Sequence, residues 1–117
     1  MLPGNRQPLT EKQYTMKQLK ITIRGEKYPY QETMGAIMAF KKETGMEPSQ
    51  ISPDDTETNL KYMYHVVKYS CKVEGVEFKM SYEEFCNRLH ALEYTEIMLA
   101  IADQVKEHTA NVENEKK

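Results

Sequence analysis

Tryptophan is missing from this sequence and cysteine is scarce. The two thiols, Cys71 and Cys86, fall within helical patterns and cannot build a disulfide framework. They read as small buried hydrophobes suited to a reducing compartment. Long apolar runs are missing as well. A stretch such as "YTEIMLAIA" is far below the ~20 residues that a membrane-spanning helix requires. The opening stretch "MLPGNRQPLTEKQYT" has no apolar h-region and no small-residue cleavage site, so no signal peptide is expected. Nor is there an excess of positive charge: the formal net charge is −2 and the pI about 5.9, which argues against nucleic acid as the main partner.

Chemistry-bearing motifs are missing too. There is no P-loop, no dinucleotide fingerprint, no nucleophile elbow and no close cysteine pair of the zinc type. Cys86 and His90 share one helical face, but His65 and Cys71 lie six apart and point to different faces. The acid pairs Asp54-Asp55 and Glu83-Glu84 fall in first helical turns, where the macrodipole already favours carboxylates. No enzyme, metal or cofactor is expected.

What is present is a polar globular chain with 39% apolar and 29% charged residues, enough for one domain with a real core. Eight methionines and eight tyrosines give it an unusual balance. Methionine fills irregular gaps and also serves adaptable binding surfaces. Residues 1–15 show no periodicity and read as a flexible arm, with Met16 opening the structured part.

From Lys17 to Arg24 the chain alternates, with Leu19, Ile21 and Ile23 on one face, as a half-buried strand does. Gly25-Glu26 reads as a tight turn into "KYPYQ", an edge strand because Pro29 cannot donate to a ladder. Thr33 caps a helix whose inner face reads as Met34, Ile37, Met38 and the stem of Lys41, widened by Ala36, Ala39 and Phe40; Gly45 ends it. After a proline-bearing loop, "SPDD" starts a second helix running to about Lys72. Leu60, Met63, Tyr64, Val67 and Cys71 form its main stripe, with Tyr62, Val66 and Tyr69 beside it. That is more apolar surface than one core face requires. Residues 73–80 alternate and leave open a third short strand or a packed loop. Ser81 and Glu84 form a capping box for a helix to about Leu89, with Phe85, Cys86 and Leu89 inward. A last helix starts near Thr95 and presents Ile97, Met98, Ile101 and Val105, and the segment from 110 to 117 reads as a disordered charged tail.

The expected fold is therefore α+β: an N-terminal β-hairpin packed on about four helices, one domain over residues 16–109. Its expected core is Leu19, Ile21, Ile23, Ile37, Phe40, Met63, Val67, Phe85, Leu89 and Ile101. The hairpin carries Lys17, Lys20, Arg24 and Lys27 with Tyr28 and Tyr30, which a single-strand binder could use; a solvated, charge-protected edge is the simpler reading.

The order of features, "LKITIRGEKYPY", then "TMGAIMAFKKETG", then "NLKYMYHVVKYSC", then "MSYEEFCNRL", resembles the tail assembly chaperones of long-tailed bacteriophages and prophages over roughly residues 16–105. That resemblance implies a cytoplasmic protein that binds the tape-measure protein, keeps its helices soluble and recruits tail-tube subunits, with no catalytic residues. On this reading Tyr62, Val66 and Tyr69 would anchor the partner helix, unless the chain's own hairpin or a second copy covers them. Two other classes stay open: a structural phage protein such as a connector or tail completion subunit, and a small nucleic-acid-binding regulator.

Overall fold

The computed structural model describes the backbone of residues 19–116 and the side chains of 19–103. The expected arm over residues 1–15 lies outside them. Two antiparallel strands, β1 (Leu19–Ile23) and β2 (Glu26–Tyr30), are followed by helices α1 (Met34–Thr44), α2 (Thr56–Glu74), α3 (Tyr82–Arg88) and α4 (Ala91–Lys116), with one 3₁₀ turn at Pro48–Gln50. This is the expected α+β class. No third strand forms among the described residues. Instead α2 runs on to Glu74, ends on Gly75 in the left-handed conformation, and leaves 76–80 as a loop.

The hairpin turn falls one residue earlier than the sequence indicates. Arg24 (φ 51°) and Gly25 (φ 85°) both take positive φ, the combination of the two-residue turn that matches strand twist. An arginine in this conformation is disfavoured, and two local contacts hold it. Its backbone N–H donates to Glu93 Oε1 at 3.0 Å, and its guanidinium donates to Asn87 O at 3.4 Å.

The helix ends follow local sequence closely. Thr33 Oγ1 accepts from Ala36 N–H, and Gly45 closes α1 at φ 75°. Asp55 caps α2 through Thr58 N–H, and Ser81 with Glu84 forms the expected reciprocal box on α3. The start of α4 differs from the reading that placed it near Thr95. His90 Nδ1 accepts from Leu92 N–H, and Glu93 Oε1 accepts from His90 N–H, so the helix begins at Ala91. Residues 110–116 continue this helix, with side chains outside those described.

The chain groups into two units. One contains residues 28–78 with the start of β1, the other 21–27 with 79–117. In the first, Tyr30, Ala36, Phe40, Tyr62, Met63, Val66, Val67, Ser70 and Cys71 are buried; in the second, Ile21, Ile23, Phe85, Leu89 and Ile97. Leu19, Ile37 and Ile101, expected in the core, are half-buried.

One helix face is corrected. Met34 and Met38 are 67% and 64% exposed, while Ala36 and Phe40 are fully buried. At 100° per residue the pair at 34 and 38 lies opposite the pair at 36 and 40, so only one can face inward. The small side of α1 turns toward α2: a β-carbon at Gly35 would lie 3.3 Å from the Tyr69 ring.

Candidate protein-binding surface

The three residues expected to anchor a partner are all on α2, in the first unit, but only one stays at the surface. Tyr62 is 8% exposed, stacks edge-on against Phe40 of α1 at 5.1 Å, and donates its hydroxyl to Glu32 at 2.5 Å. Burial, together with that carboxylate, pushes its phenol well above the ordinary tyrosine range. Val66 is fully buried. Tyr62 is therefore covered by the chain's own first helix. Tyr69 alone remains half-buried, its ring lying over Gly35 at the start of α1.

Other side chains stay exposed on the two helices. On α1, Met34 and Met38 project one turn apart, with Lys41 and Lys42 following, all exposed. On α2, Lys61, His65, Lys68 and Lys72 follow the i, i+4, i+7, i+11 spacing that aligns side chains along one face. The Lys68 ammonium sits over the Tyr64 ring at 5.6 Å and the Lys72 ammonium over the Tyr69 ring at 5.4 Å. His65 Nε2 pairs with Glu43 of α1 at 2.6 Å. Val73, 73% exposed, follows at the end of the helix. Sequence reasoning missed this surface because it placed both methionines inside; the signal present was the i, i+4, i+7, i+11 run of basic residues.

The other chemistry considered from sequence finds no assembly. Among the described residues no group of three His, Cys, Asp or Glu side chains could hold a metal ion. Cys71 is buried, and burial raises its thiol above the ordinary value. On the hairpin, Tyr30 is buried, and the half-buried Tyr28 packs edge-to-face with Phe78 at 5.7 Å, so the pair does not form an open stacking platform. Among the described residues no helix is long and apolar enough to cross a membrane. No family model, curated protein or solved structure matches this chain.

Proposed function

We propose that this chain is a protein-binding chaperone of the phage tail-assembly kind, one that holds an amphipathic helix of a tape-measure protein and does no chemistry of its own. Met34 and Met38 are the observation that carries the reading. Two long, unbranched, polarizable side chains project from one helix face at two-thirds exposure. Methionines exposed in this way suit adaptable recognition of apolar helices, because they repack against different partners. The order of hairpin and capped helices supports the same reading through its resemblance to tail assembly chaperones.

Co-expression with a tape-measure protein tests it. The wild-type chain should keep that protein in the soluble fraction, and Met34→Glu with Met38→Glu should stay folded and lose this ability. Substituting Tyr62 would not be informative, because its ring is core. Retained solubilisation by the folded double variant would sink the reading.

A further inference from the structure

Between Glu57 and Glu74 the second helix contains no acidic residue, in a chain that has 18. This acid-free stretch coincides with the outward basic face of α2. Lys61, Lys68 and Lys72 share that face, and His65 between them is tied to Glu43. The first unit is otherwise acid-rich, with Glu32, Glu43, Glu47, Asp54, Asp55, Glu57, Glu74 and Glu77. The acid-free stretch thus gives α2 a one-sided basic face, while Lys41 and Lys42 of α1 carry further positive charge in the same unit. Nothing in helix stability requires it, since a lysine face with acids at i−4 would be more stable. Only Lys61 has such a pairing, with Glu57 at 3.9 Å.

We propose that this face of α2 binds an acidic helical segment of a protein partner, carboxylates meeting Lys61, Lys68 and Lys72 in register. From Lys61 to Lys72 the face is about 16 Å long at 1.5 Å per residue, the length of three turns of a partner helix. Charge complementarity selects an anionic partner. One feature selects a protein over a nucleic acid: a lysine ammonium already sits over a face of each of Tyr64 and Tyr69, which makes them a poorer stacking platform for bases. The proposal stands on charge placement and does not depend on the tail-assembly reading.

The test uses the full chain and three fluorescent probes of similar size. One is a helical peptide of about fifteen residues with glutamates at i, i+4, i+7 and i+11 between leucines, and the second is its glutamine twin. The third is an oligothymidylate. The glutamate peptide should bind at least about tenfold more tightly than its twin, and weaken about tenfold as salt rises from about 50 to about 500 mM. Lys61→Gln with Lys68→Gln and Lys72→Gln should remove that preference while the melting temperature and circular dichroism stay unchanged. Equal binding of the two peptides overturns the proposal. So does a preference that survives in the triple variant, or an oligonucleotide that outbinds the glutamate peptide through the same lysines. If the triple variant unfolds, Lys68→Gln alone, whose side chain is solvent-exposed, replaces it with the same criteria at a smaller fold-change.

Discussion

Ser70→Ala tests the internal wiring of the first unit. Ser70 is 1% exposed, and its hydroxyl makes two hydrogen bonds to one residue, accepting from Gln31 N–H at 2.7 Å and donating to Gln31 O at 2.9 Å. One side chain on α2 thus satisfies both backbone groups at the exit of β2. Removing it deletes two bonds, each worth about 0.5–1.5 kcal/mol net, and leaves a donor and an acceptor unmet. Gln31 is only half-buried, so water reaches part of the deficit. The expected loss is about 2 kcal/mol, or roughly 8 °C in Tm at about 4 °C per kcal/mol for a domain of this size. Urea denaturation followed by far-UV circular dichroism measures it, with an unchanged m-value showing that only stability moved. A loss below about 0.5 kcal/mol would refute the reasoning, because it would mean Gln31 finds other partners at no cost.

Tyr30→Phe should move stability the other way. The Tyr30 hydroxyl is buried with no partner among the described residues, and burial pushes its phenol far above the ordinary range; the variant should gain about 1 kcal/mol, read from the same urea curves. Phe85→Ala removes a fully buried ring and should cost about 3–5 kcal/mol by chemical denaturation. Glu93→Gln addresses acid stability. Burial pushes the Glu93 carboxyl up, but N–H donors from Arg24, His90 and Gly25 outweigh it and hold the group below its ordinary value. A carboxylate lowered on folding stabilises above its unfolded pKa and loses that contribution as pH falls through the folded one. The wild type should therefore lose stability below about pH 4.5, and the variant should show a shallower slope there. For the thiols, Cys86 should react with an alkylating reagent in the native protein and Cys71 only on unfolding, as mass spectrometry of timed samples would show.

The elements most legible in the sequence were those fixed by local chemistry. Thr33, Gly45 and the Ser81–Glu84 box act within one turn of their own helices, so their roles follow from residue type and spacing; Asp54-Asp55, expected within the first turn of α2, instead precede it, with Asp55 as its cap. The strand alternation at Ile21 and Ile23 was equally clear. The start of α4 was not, because histidine is outside the usual set of capping residues, although Glu93 three positions on carried the signal. The faces of α1 were illegible for a different reason. From Met34 to Phe40 every residue is apolar or glycine, so periodicity cannot choose between Met34/Met38 and Ala36/Phe40. The choice is made by tertiary packing, where Gly35 admits the Tyr69 ring. Tyr62 and Val66 are buried as well, Tyr62 against Phe40 of α1. Of the second row on α2 only Tyr69 is left half-buried, while Met34 and Met38 of α1 stand exposed.

That surface can be watched directly by labelling the methionine ε-methyl groups and titrating with a helical fragment of a tape-measure protein. Met34 and Met38 stand in solvent, while Met63 is 1% exposed and serves as an internal reference. The account predicts that the Met34 and Met38 methyl resonances shift together and saturate while Met63 stays in place. Saturable binding that leaves both of them unmoved, or no shift of any methyl at saturating fragment concentrations, would contradict it.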